Sequence, residues 1–241
     1  MFDIRGSHHA GIGSFLLDKS WDVKLSGNFN DSDLYPEMTD VPLEQTGSTE
    51  MTSYLITYEF TAFFKGLVIT PGWQNNKQVL PPEVDKWVNM LGERIQDKFL
   101  KYCDLSIPIH ALTDTVARSI IANKRLTARH PRTRGDRGTS MSREERDMLF
   151  DLSMQIIGFD SLTHSSNTMK LFLWHVSGQF QLDVFVFLLT ELKSRPSGPS
   201  AKRAWMLVED AYRKHLELIS DDRNNLRKAV GDVNNTCVGT A

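Results

Sequence analysis

The chain has 241 residues, 40% of them hydrophobic and 24% charged, so it holds enough apolar material for a real core in one large or two small domains. A net charge of −2 excludes a global basic field that would draw it onto nucleic acid, though not a local basic patch. Its two cysteines, Cys103 and Cys237, exclude a disulfide framework and any structural zinc site built from several thiolates, and fit a reducing compartment.

The first residues, "MFDIRGSHHAGIGSFLL", lack the basic region and long apolar run of a secretory signal. The most apolar stretch, Val184 to Leu189, is far shorter than the roughly 20 residues that span a membrane. The expectation is a soluble intracellular protein. Residues 1–47 read as loops rich in Gly, Ser, Asn and Asp, 48–219 as a helical core, and 220–241 as a polar tail.

Six long helices are predicted in chain order. The first opens at Ser48 or Thr49 as N-cap, carries Met51, Tyr54, Leu55, Tyr58, Ala62 and Phe63 on one stripe, and ends before Pro71 and Gly72. The second starts at Pro81 and Pro82, where a first turn tolerates proline, and aligns Val84, Trp87, Val88, Leu91, Ile95, Phe99 and Tyr102. The third runs from about Pro108 to Arg129 through Ile109, Leu112, Val116 and Ile120. The fourth opens at Ser142 with Glu145 three residues later, the spacing of a capping box, and shows Leu149, Leu152, Ile156 and Phe159. The fifth, Ser166 to Lys193, is the most apolar and is expected at the centre. The sixth, Ala201 to Ile219, is anchored by Trp205, Val208, Tyr212 and Leu216. No stretch sustains a period of two, so the fold class is all-α, a multi-helix array behind an irregular N-terminal segment.

Candidate chemistry is sparse. "NDSDLYPEM", Asn30 to Met38, packs three carboxylates into nine residues. A calcium loop counted from Asp31 would place Tyr35 fifth, Pro36 sixth and Pro42 twelfth, where glycine and a bidentate glutamate are required. The stretch therefore reads as turn and cap chemistry. "SDDRNN" at Ser220 to Asn225 lacks the further carboxylate of an aspartate-rich magnesium motif. The histidines are scattered without paired i, i+4 spacing, and His175 reads as a core residue. No nucleophile elbow, phosphate-cradling loop or dinucleotide fingerprint is present in the sequence. No catalytic residue, metal or cofactor is nominated.

The most charged segment holds Lys124, Arg125, Arg129, Arg132, Arg134 and Arg137 against Asp136. It reads first as a solvated helix end and loop, and second as a nuclear-import or partner-binding patch. Without an aromatic residue inside the segment, single-strand nucleic-acid binding is disfavoured.

One family resemblance spans most of the chain. Trp21, Asp22, Lys24, Leu25, Asn28, Asn30, Asp31, Asp33, Leu34, Pro36, Glu37, Met38 and Thr39, then Tyr58 and Glu59, match in order a landmark of the fungal-specific transcription-factor domain. That domain is the helical regulatory region of fungal zinc-cluster regulators. "FDIRGS" near the start and Glu191, Leu192, Arg195, Pro196, Gly198, Pro199, Ala204 and Trp205 near the end are also similar to it. The resemblance implies a nuclear, non-enzymatic regulator that works through protein partners, a homodimer or a small-molecule effector, controlling a metabolic or secondary-metabolite gene set. The six cysteines of the family's DNA-binding module are missing, so contact with DNA is expected only indirectly. Two other readings remain: a terpene-synthase-like metal enzyme using Asp31, Asp33, Asp221 and Asp222, and a truncated product without function.

Overall fold

A computed structural model describes residues 27–69, 81–131, 139–176, 180–195 and 197–216. Among these residues the regular structure is wholly helical, in keeping with the all-α expectation. The α-helices are α1 (Thr52–Ile69), α2 (Pro81–Lys98), α3 (Pro108–Arg129), α4 (Arg143–Ser165), the single turn α5 (Leu173–Val176), α6 (Leu182–Lys193) and α7 (Pro199–Lys214). Short 3-10 turns occupy Asp31–Asp33, Leu100–Tyr102 and Met169–Phe172.

Local chemistry explains the sharper boundaries. Pro108 begins α3, where its missing N–H costs nothing, and Ser142 Oγ accepts from Glu145 N (3.1 Å) at the start of α4. Gly198 precedes α7 with φ +118°, a conformation that side chains with a Cβ rarely adopt. Pro199 then fixes the first helical position.

Three apolar clusters stack along the array, and α3 contributes to all of them. Leu55, Ile56 and Phe60 of α1 meet Leu91 and Ile95 of α2 and Ala117 of α3. Ala111 and Leu112 of α3 meet Met169 and Val176. The largest cluster joins Ala122 and Leu126 of α3 to Leu149, Phe150 and Ile157 of α4, Val184, Phe185 and Leu188 of α6, and Ala201, Ala204, Val208 and Ala211 of α7.

Several expectations need correction. The single fifth helix is divided: α4 continues through Ser165, Ser166 caps it, a 3-10 turn and α5 follow, and α6 starts afresh at Leu182. An apolar run marks burial, not continuity of a helix. Centrality passes from that segment to α3, the element shared by every cluster. On α1 the buried face is Leu55, Ile56 and Phe60, while Tyr54 is 51% exposed, because two stripes of similar apolarity compete on that helix. The tail at 220–241 and the Pro71–Gly72 stop lie outside the described residues.

Candidate functional site

The acidic stretch is a hydrogen-bonded clasp over the entry to α1. Asn28 is buried; its Nδ2 donates to Gln45 O (2.7 Å) and Gly47 O (2.9 Å), and its Oδ1 accepts from Thr49 Oγ1 (2.7 Å). Asn30 caps the Asp31–Asp33 turn: Asp33 N donates to Asn30 O (3.0 Å) and Asn30 N to Asp33 Oδ2 (2.9 Å). Gln45 Nε2 donates to the same Asp33 oxygen (2.5 Å), and Asp31 N to Glu50 Oε2 (2.6 Å). Thr49 and Thr52 complete the start of α1, Met51 N donating to Thr49 Oγ1 (3.1 Å) and Thr49 N to Thr52 Oγ1 (2.8 Å). Short polar side chains here take the place of ladder bonds. Asp31, Leu34 and Pro36 face solvent. Asp221 and Asp222, the other half of the metal-enzyme reading, lie outside the described residues.

The clasp is tied to α3 through His110. Its Nδ1 accepts from Asp104 N (3.1 Å), which leaves Nε2–H to donate to Ser48 Oγ (3.1 Å). Glu59 on α1 binds Arg94 and Lys98 of α2, each at 3.0 Å. Buried Glu191 of α6 accepts from Arg146 (3.1 Å), while Arg195 meets Asp147 (2.5 Å) and lies 4.6 Å over the Phe150 ring. Glu59, Glu191 and Arg195 are thus inter-element ties.

The described part of the basic segment turns inward. Arg129 is buried and forms a bidentate pair with Asp85 of α2, Nη1–Oδ1 being 2.6 Å and Nη2 meeting Oδ2. Arg125 donates to Asn89 Oδ1 (2.5 Å). Lys124 is partly buried, and its desolvation pushes the ammonium pKa down. Arg132 and Arg134 lie outside the described residues.

Sequence spacing did not unite a group that the fold does. Asp160 and His164 sit one turn apart on α4, and His215 caps the C-terminus of α7. One ligand atom from each lies within 4.8 Å of the others. His215 Nε2 is 2.7 Å from Asp160 Oδ2, and the two imidazoles meet edge-on at 4.8 Å. Phe180 stacks on His215 at 4.1 Å. The signal available in the sequence was the Asp160–His164 i, i+4 step. His215, far away in the chain, gave none.

Two open grooves flank α2. One, about 390 Å³, runs between α2 and α3 past Arg118 and Arg125; the other, about 340 Å³, lies beneath the Gln45–Gly47 part of the clasp. A smaller cavity of about 70 Å³ separates α3 from α4 and is bordered by Asp160. No described helix is long and apolar enough to cross a membrane.

The chain is similar to curated fungal regulators along most of its length. It is 28% identical over 213 residues to the aurofusarin cluster transcription factor aurR2 of Gibberella zeae, covering 88% of this chain and 32% of that protein. It is 28% identical over 226 residues to the pyriculol/pyriculariol biosynthesis cluster transcription factor 1 of Pyricularia oryzae, covering 87% and 29%. The transcriptional regulator AacuB of Aspergillus aculeatus is 25% identical over 237 residues, covering 92% and 31%. The chain therefore spans about a third of the length of these relatives. No family model matches, and no solved structure does. The relatives are named as transcriptional regulators rather than enzymes, in agreement with the resemblance to the fungal regulatory domain and with a non-enzymatic reading.

Proposed function

We propose that this chain is the regulatory, non-DNA-binding part of a fungal zinc-cluster-type transcription regulator, acting in the nucleus on a secondary-metabolite gene set. The observation that carries the reading is similarity along 87–92% of the chain to proteins named as cluster transcription factors or regulators. The helical array supports it, since such an array presents rigid faces to partners. Two cysteines cannot hold a six-thiolate zinc cluster, so DNA is reached through another module. Protein partners or a second copy are the expected contacts. A small-molecule effector has two grooves of suitable size, since ligand sites run from about 300 to 1,000 Å³.

Inactivating the gene and sequencing transcripts tests this reading. One co-located set of biosynthetic genes falls together if it is right, and an unchanged transcriptome sinks it. Localisation is tested with a large fluorescent fusion carrying Arg132→Ala and Arg134→Ala. Those changes spare Arg129, which pairs with Asp85, and lost nuclear accumulation with an unchanged helical circular-dichroism signal reports import.

A further inference from the structure

The meeting of Asp160, His164 and His215 has a chemistry that regulation of transcription does not require. Two imidazoles and one carboxylate are the donor set of zinc-type sites, and facing elements of a helical array are where such sites are built. His215 is 6% exposed, and the side chains of His164 and Asp160 are 15% and 20% exposed. The group is thus shielded from bulk water yet still reachable by an ion.

We propose that Asp160, His164 and His215 form a binding site for a divalent transition-metal ion of the zinc class, joining α4 to the C-terminal end of α7. Tetrahedral coordination with bonds of about 2.0–2.1 Å separates neighbouring ligand atoms by about 3.4 Å. Separations of up to 4.8 Å therefore need a contraction of about 1.4 Å, and the 2.7 Å His215–Asp160 contact must open by about 0.7 Å, both within the reach of side-chain rotation. His164 Nδ1 also lies 2.9 Å from the Asp160 carbonyl oxygen. A metal-bound histidine commonly donates its second nitrogen to such a carbonyl, which fixes the tautomer.

Charge and space agree with this assignment. One carboxylate and two neutral imidazoles leave a bound dication with a net charge near +1. Lys214, the residue before His215, is held by Asp210 at 2.5 Å and by Ser165 Oγ at 2.7 Å. Burial acts to raise the Asp210 pKa, but hydrogen bonds from Lys214 and Ser161 outweigh it and hold that carboxyl below its usual value. Asp160 also borders the 70 Å³ cavity, whose wall includes Thr115, Ser119, Asn123 and Gln181. That volume has room for a water or two to complete the coordination. Phe180 covers one face of the His215 ring.

The test uses the whole chain, freed of metal with a chelator. Cobalt titration is expected to give a saturable visible absorption at one ion per chain, which zinc then displaces. Zinc is also expected to raise the melting temperature. His164→Gln and Asp160→Asn should each weaken binding at least tenfold while preserving the helical circular-dichroism signal. Absence of a saturable cobalt spectrum, or wild-type affinity in both variants, overturns the proposal. Nitrogen NMR of the wild-type imidazoles keeps the test independent of variant folding. Zinc must shift the ring resonances of His164 and His215, and unshifted rings refute the site.

Discussion

The α4–α6–α7 core and the 27–51 clasp are held by opposite physics. The core buries Leu149, Phe150, Ile157, Val184, Phe185 and Leu188 almost completely, and its attraction is non-directional and proportional to area. Apart from buried Phe29, the clasp leaves its large apolar side chains Leu34, Tyr35, Val41 and Leu43 exposed, and it is held by hydrogen bonds in which donor and acceptor must each be in place. Many apolar sequences of similar volume satisfy the first arrangement. Few satisfy the second, because Asn, Asp, Gln and Thr differ in which atoms donate. A recognisable sequence landmark therefore belongs at the clasp, and most of the cohesion belongs to the core.

The largest break in that comparison is expected at Phe185, which is 0% exposed and sits where α4, α6 and α7 meet. Phe185→Ala removes transfer energy and leaves a cavity, a loss of about 3–5 kcal/mol in urea denaturation. Phe185→Leu, closer in volume, should cost less than half as much. Equal losses for the two would mean that the core is more directional than argued.

A smaller effect is expected at Asn28. Asn28→Ala removes two donors and one acceptor from a buried position, leaving Gln45 O, Gly47 O and Thr49 Oγ1 without those partners. The loss should be about 2 kcal/mol, since part of this backbone can regain water. Hydrogen exchange should accelerate at Gln45, whose amide bonds Asn28 O at 2.8 Å, before it accelerates in α6. Simultaneous acceleration in both regions would show that clasp and core open as one unit.

These differences also decide what could be read from the sequence. The boundaries of α3 and α4 were legible because Pro108 and Ser142 act on backbone groups only a few residues away. The face of α7 was only partly legible: Val208 is buried as expected, but Tyr212 and Leu216 are exposed, and Ala201, Ala204 and Ala211 make the close contact. Small residues let helices approach, and a search for bulky stripes passes over them. Inward-turned Arg129 was hidden because its partner Asp85 is 44 positions earlier on another helix. A separation of 55 positions likewise hid the approach of His215 to Asp160.

The smallest expected effect is at Asp33, where the clasp and the metal-loop reading make different demands. Asp33 Oδ2 accepts from Asn30 N (2.9 Å) and Gln45 Nε2 (2.5 Å), so its role here is to cap the start of a turn and anchor a side chain. Because Asp33 remains partly solvated, Asp33→Ala should cost about 0.5–1 kcal/mol, in the range of a lost cap. Exchange of the Asn30 amide should quicken while the amides of α4 stay protected. A calcium or magnesium loop would instead lose saturable binding of that ion with little change in the Asn30 amide. Calorimetry and hydrogen exchange on the same variant therefore separate the two roles. Local loosening without any ion effect is the result expected if the three carboxylates of Asn30–Met38 serve the backbone.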